Sequence, residues 1–231
     1  MPRNTLTADQ IVRAAIALLD EEGLDGLNMR SLGARLGSAP TAIYWHIKTK
    51  DELVRLAADA VWHEVALPDL DADAADAGDW RTAATAMATG MHAMLTRHPW
   101  LGQAFGSHLL YGRGKARYDD RSLALYEKAG FPPADADRAA ATVFLFVLGS
   151  ALGPASEVSL KRRLGGKDGD AEQQLADAMA RAAEVAMDFP RLRERLGTAA
   201  ATGYAAAPDD TFAFGLRAVL DGFAARLADG S

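Results

Sequence analysis

The sequence predicts an all-α protein, with a three-helix helix-turn-helix domain at the N-terminus and a larger helical domain behind it. Three observations carry this. Ala, Leu, Arg, Glu and Asp dominate, while the β-branched alternation expected of strands is scarce. Capping signals recur at the heads of short segments with helical apolar spacing. The chain has 231 residues and is 49% hydrophobic, enough for one large domain or a small domain joined to a bigger one.

The first helix opens on a T-x-x-Q capping box, Thr7 and Gln10, and carries one apolar stripe of Ile11, Ala14, Ala15, Leu18 and Leu19. Gly23 is placed to stop it. Asn28 caps a short second helix, with Leu32 and Leu36 four apart on one face. Gly37 ends that helix. Ser38 or Ala39 begins a third, and Pro40 suits its first turn, where no N–H is needed. Thr49 and Glu52 make a T-x-x-E box that starts a fourth helix bearing Leu53, Leu56, Ala57, Ala60 and Val61. After Val65 the pattern breaks, and residues 68–79 are acidic, small and aperiodic, as in a linker or loop. Further helices are expected at about 80–97, 100–112, 117–130, 135–153, 171–188 and 209–228, with loops at 165–170 and 197–208. The division that follows is a helix-turn-helix domain over 1–50, a connecting helix over 51–66, and a second domain over 67–231.

Composition narrows the function. There is no cysteine, which excludes a disulfide framework and a zinc-thiolate site and fits a cytoplasmic location. The N-terminus lacks the apolar core of a signal peptide. The most apolar run, 139–155, is interrupted by Gly149, Gly153 and Pro154 and reads as a buried helix rather than a membrane span. Gly166 and Lys167 lack the rest of a phosphate-binding loop. No nucleophile–base pair, carboxylate dyad or metal cluster is visible, so no catalytic residue, metal or cofactor is expected. The net charge of −6 argues against nucleic acid when taken whole, but residues 1–50 carry a net +1, and residues 30–50 hold four bases and no acid.

That basic strip contains Tyr44, Trp45 and His46 side by side, and three large side chains in a row cannot all face one core. Ile43 and Ile47 lie four apart and should pack on the first helix, leaving Thr41, Tyr44 and Trp45 to project outward. A helix start that presents Thr, Tyr, Trp and His between bases suits a DNA major groove. Lys50, at the start of the fourth helix, lies where free N–H groups already favour an anion.

The stretch from Ile11 to Leu53 resembles the DNA-binding domain of the tetracycline-repressor (TetR) family. The resemblance rests on Gly23, Leu24, Leu27, Met29, Arg30, Leu32, Leu36 and Gly37, and on "YWHIKTK" from Tyr44 to Lys50. The rest is similar, more weakly, to the C-terminal domain of the same family. The resemblance implies that Arg30 touches phosphate or a base and that Pro40, Thr41 and Ala42 face bases. It implies that Tyr44, Trp45 and His46 contact backbone and thymine methyls, and that Lys50 holds phosphate. Ser38 and Pro40 depart from the family pattern. Pro40 stands where the tetracycline repressor has glutamine, so the operator sequence does not carry over.

The segments 135–153 and 209–228 look apolar on more than one face, so each should bury itself on two sides. The resemblance implies that they form a four-helix homodimer interface, with Val143, Phe144, Val147, Phe212, Leu216, Val219 and Leu220 at the contact. Two recognition helices about 34–36 Å apart would then read a palindromic operator. The segment 80–126 is rich in Met, His and aromatic residues, which line adaptable pockets. His92, Trp100, His108 and Tyr111 are the candidate effector contacts. The expected function is a dimeric, ligand-responsive transcriptional regulator, a repressor released from double-stranded DNA by a small molecule. The alternatives are a helical binding protein or enzyme that does not bind DNA, and a transcriptional activator.

Overall fold

The computed structural model describes residues 6–70, 80–164, 171–197 and 210–229. Among these residues every regular element is a helix: α1 (Ala8–Gly26), α2 (Met29–Leu36), α3 (Pro40–Tyr44), α4 (Lys50–Trp62), α5 (Trp80–Arg97), α6 (Trp100–Ser107), α7 (Arg113–Lys128), α8 (Pro133–Leu164), α9 (Ala171–Ala186), α10 (Pro190–Leu196) and α11 (Thr211–Asp229). The loop expected over 165–170, and all but residues 68–70 and 197 of those expected over 68–79 and 197–208, lie outside the described residues.

Three of the first four helices, α1, α2 and α4, start where their caps put them. At α1 the box is reciprocal: the Gln10 N–H donates to Thr7 Oγ1 at 3.2 Å and the Thr7 N–H donates to Gln10 Oε1 at 2.9 Å. Gly23 breaks the helical path with φ 73°, after which a short helical segment continues to Gly26. Asn28 caps α2 by accepting from the N–H groups of Arg30 and Ser31. At α4, Thr49 accepts from the Glu52 N–H at 3.0 Å, but Glu52 reaches back to the Lys48 N–H rather than to Thr49.

The turn between α2 and α3 depends on two glycines. Gly37 sits in the left-handed region at φ 60°. Gly33 lets the chain fold back closely, since a Cβ there would lie 2.7 Å from the Ser38 carbonyl oxygen. Ser38, expected as a possible cap, does not cap: its hydroxyl donates to the Leu36 carbonyl, and Ala39 precedes α3 without a side-chain bond. Beneath the turn, Ile11, Leu32, Ile43 and Ile47 have no exposed surface.

Farther along, the chain departs from several expected boundaries. The expected helix at 100–112 ends at Ser107, and its successor begins at Arg113 rather than near 117. The long apolar helix does not stop near Gly153: α8 runs on to Leu164 and packs on α5, α6, α7, α9 and α11, a tertiary setting that outweighs local helix breakers. Its stretch Pro133–Gly153 is long and apolar enough to cross a membrane by length and composition alone, as core helices of soluble proteins also can be. Burial of Ala136, Ala139, Val143, Val147 and Ala151 shows instead that one side belongs to the protein core. The short α10, opened by Pro190, was not expected.

Of the seven residues expected at a dimer contact, four are buried within the single chain and three are half-buried. Val143, Val147, Leu216 and Leu220 are sealed inside the single chain. Phe144 stacks on Trp62, and Phe212 stacks on His92 and Phe146. Val219 is half-buried against the same core. The surface left open by α8 and α11 instead displays Leu145, Leu152 and Phe214, with Phe214 71% exposed. Apolarity in the sequence does not separate core from outer positions on these two helices, because both kinds are apolar.

Ile43→Ala should cost about 2–5 kcal/mol in urea unfolding, since it opens a cavity at a fully buried site. Trp45→Ala, at an 81% exposed site, should leave the midpoint within the experimental scatter.

Candidate nucleic-acid interface and its junction with the helical core

With Ile43 and Ile47 committed to the core, the rest of α3 and its exit must face outward. Trp45 is 81% exposed and Tyr44 45%, and Pro40, Thr41 and His46 are exposed beside them. Ala42 is half-buried. Arg30 is exposed at the start of α2. Of the eight residues expected to meet DNA, seven are exposed, Lys50 among them, and Ala42 is the least accessible.

The two lysines are placed by backbone carbonyls. Lys48 Nζ donates to the Tyr44 carbonyl at 3.0 Å and lies 5.9 Å from the Trp45 ring centroid, so it steadies the end of α3. Lys50 Nζ donates to the Leu24 carbonyl at 2.7 Å, tying α4 to the segment after the Gly23 break. One bond leaves an ammonium two further donors. Arg35 grips Glu21 with two bonds of 2.5 Å, fixing α2 on α1. That hydrogen-bonded guanidinium holds the Glu21 carboxyl below the usual carboxylate range.

Behind this head, a compact polar junction joins α1, the end of α4 and the α5–α6 turn. His98 is buried; its Nδ1 meets Asp20 at 2.8 Å and its Nε2 meets Glu64 at 3.1 Å. The Trp100 indole N–H donates to the same Asp20 oxygen at 2.8 Å, and Arg97 pairs with Glu64. A ring with a carboxylate at each nitrogen is best served when both nitrogens carry protons. Burial opposes the charged ring, but Asp20 and Glu64 outweigh it and hold the His98 pKa above its ordinary value.

A second junction lies farther along α4. The Asp59 carboxylate accepts the N–H groups of Arg113, Gly114 and Lys115. Arg55 donates to the Tyr111 carbonyl and lies over its ring. At the end of α4, Trp62 packs with Phe105, Tyr118 and Phe144, while Lys115 Nζ lies 5.4 Å from the Trp62 ring and 4.7 Å from Phe144. The Trp62 indole N–H is buried without a hydrogen-bond partner among the described residues.

The structure does not bring the four candidate effector residues together. His92 stacks on Phe212 at 4.1 Å, and burial pushes its pKa down, so the ring is neutral. Trp100 belongs to the His98 junction. His108 and Tyr111 line an open groove of about 470 Å³ with Asp51, Glu52, Arg55, Ser107 and Leu109. Sequence reasoning passed over Asp20, Asp59, Trp62, Glu64, His98 and Lys115 as site residues. Their partners lie 34 to 80 residues away for the His98 and Trp100 contacts, beyond any local spacing rule.

The His98 junction should give a signed pH effect. A pKa raised in the folded chain contributes stability that is complete below the ordinary value of about 6.5 and fades as pH rises through the raised value. The wild-type Tm, followed from pH 6 upward, should fall more steeply than that of His98→Gln, which should be lower at pH 6.

Two family descriptions match this chain: "Bacterial regulatory proteins, tetR family" over residues 11–57, and "Tetracyclin repressor-like, C-terminal domain" over 73–227. An HTH-type transcriptional regulator of Saccharopolyspora erythraea is 38% identical over 63% of this chain, a match that spans 59% of that relative. The HTH-type transcriptional repressor DrrR1 of Streptomyces coeruleorubidus is 32% identical over 96% of this chain and 78% of its own. The class A tetracycline repressor protein from transposon 1721 of Escherichia coli is 30% identical over 96% and 92%. Among solved structures, ActR of Streptomyces coelicolor in complex with actinorhodin superposes with TM-score 0.72 and 26% identity, covering 99% of this chain and 98% of that one. The exposed reading surface on a capped helix-turn-helix and the matches along nearly the whole chain agree: the chain belongs to the tetR family of bacterial regulatory proteins and is a ligand-responsive, DNA-binding transcriptional regulator.

Proposed function

We propose that this regulator is a cytoplasmic repressor that binds a palindromic operator as a homodimer, without enzymatic activity and outside the membrane. The observation that carries the DNA reading is Trp45. An indole 81% exposed beside exposed Tyr44, Thr41 and His46, on a helix whose aliphatic side is fully buried, is poised for a ligand outside the chain. In this reading Arg30, Pro40, Thr41 and Ala42 face bases or phosphate, Tyr44, Trp45 and His46 contact backbone and thymine methyls, and Lys50 holds phosphate. Repression, rather than activation, follows the relatives named as repressors. The homodimer contact is assigned to α8 and α11, through the face bearing Leu145, Leu152 and Phe214.

The effector is assigned to the aromatic cluster around Trp62 rather than to the four residues chosen from sequence. Buried polar groups are almost always satisfied, so an orphaned indole N–H asks for an acceptor. Phe105, Phe144 and Tyr118 supply flat aromatic walls, and Lys115, ion-paired with Asp119, lies beside them. Burial pushes the Tyr118 phenol up, so that wall is neutral. A flat aromatic compound carrying carbonyl or phenol oxygens fits this chemistry. Binding there would bias α4, which also carries Lys50 at its other end.

Selection from a random duplex pool should yield a palindrome. Tyr44→Ala and Trp45→Ala should each weaken it by about tenfold or more, ~1.4 kcal/mol, with unchanged Tm. Affinity should fall by roughly a thousandfold between 50 and 200 mM salt if six or more phosphates are held. A compound from a panel of flat aromatic acids and quinones that releases the duplex should lose about tenfold in potency against Trp62→Phe, which keeps an aromatic ring, though a smaller one, and removes the N–H.

A further inference from the structure

Helix α7 begins without a cap of its own. Gly112 occupies its N-cap position and supplies no side-chain bond. The first amides of a helix have no intrahelical partner and need one from elsewhere. Here they find it on another helix. Asp59 of α4 accepts from Arg113 at 3.1 Å, Gly114 at 2.8 Å and Lys115 at 3.2 Å. A carboxylate at a helix N-terminus is favoured by the dipole, and bonds to an ionised acceptor are the stronger kind.

The close fit is built on missing side chains. A Cβ on Gly112 would lie 2.1 Å from the Asp59 carboxyl carbon, and one on Gly114 would lie 2.4 Å from the Asp59 backbone oxygen. Arg55, one turn earlier on α4, holds the Tyr111 carbonyl at 3.3 Å, so the contact covers both the entrance and the first turn of α7. The last of the three clamped amides belongs to Lys115, whose side chain extends over Trp62 and Phe144. At its other end the same α4 is bonded through Lys50 to the α1 segment behind the DNA-reading head.

We propose that the Asp59 carboxylate seated on the first turn of α7, in the space left by Gly112 and Gly114, is the joint that couples DNA engagement at α3 to the aromatic core. Asp59 is a positioning residue in this account, touching neither DNA nor effector. The inference rests on the DNA-binding reading of α3. Linkage between two sites is reciprocal, so the joint can be interrogated from the DNA side alone, with no effector in hand.

The test is amide hydrogen exchange on the full-length protein, free and saturated with the duplex it selects from a random pool. In the wild type, duplex binding should slow exchange at Arg113, Gly114 and Lys115 by about fivefold or more, the lower end of ordinary coupling. In Asp59→Asn the duplex-induced change should shrink below about twofold, whatever the free-state rate. Gly112→Ala, which displaces the carboxylate from the opposite side, should do the same and guards against misfolding of the first variant. A merely structural cap would raise the free-state rate and leave the duplex-induced change intact. Equal exchange at 113–115 with and without duplex in the wild type, or a change that survives in both variants, would overturn the proposal. Failure of the wild type to retain any duplex is a separate result: it defeats the reading of α3 and takes this inference with it.

Discussion

Everything in this molecule turns on α4 being shared. Leu53, Val54, Ala57, Ala58, Val61 and Trp62 are buried, and the helix packs on both α1 and α7. A segment buried in two places cannot shift in one without disturbing the other, because close-packed interiors do not deform smoothly. The polar contacts follow the same division. Lys50 fastens the first turn to Leu24, Asp59 fastens the middle to α7, and the region just past the helix meets His98 through Glu64. The helix is thereby the physical link between the helix-turn-helix and the helical core behind it.

The head itself illustrates how burial on one side determines exposure on the other. Ile43 and Ile47 are fully withdrawn from water, and Gly33 and Gly37 set the angle at which α3 leaves α2. Given those commitments, the aromatic pair that follows Ile43 has nowhere inside to go. An exposed tryptophan on an otherwise acidic protein is costly as a solvated surface and useful as a contact.

This division explains which parts could be read from sequence. Thr7, Asn28, Thr49, Gly23 and Gly37 act within four residues of themselves, so caps and stops were legible, and the helix-turn-helix with them. Glu52 kept the signature but chose the neighbouring N–H, a detail below the resolution of a motif. The continuation of α8 past Gly153 and Pro154 was hidden because packing against several helices overrides local propensity. The candidate effector residues were grouped by composition, and of the four only His108 and Tyr111 line one groove. His92, Trp100, His108 and Tyr111 share composition but not one location, whereas Trp62 and Lys115 are joined only by the fold. Asp59 looked like an ordinary helical acid until it met amides 54 to 56 residues downstream. Phe144 had been assigned outward, yet it faces Trp62.

Trp45 offers the most direct test of the central claim, because Trp62 and Trp100 are buried and Trp80 is half-buried. Acrylamide quenching of the intrinsic fluorescence should resolve one highly accessible indole in the free protein, absent from Trp45→Ala. Saturation with the selected duplex should remove that accessible component. A fully formed complex in which acrylamide still reaches the indole as freely as before would contradict the placement of this surface on DNA.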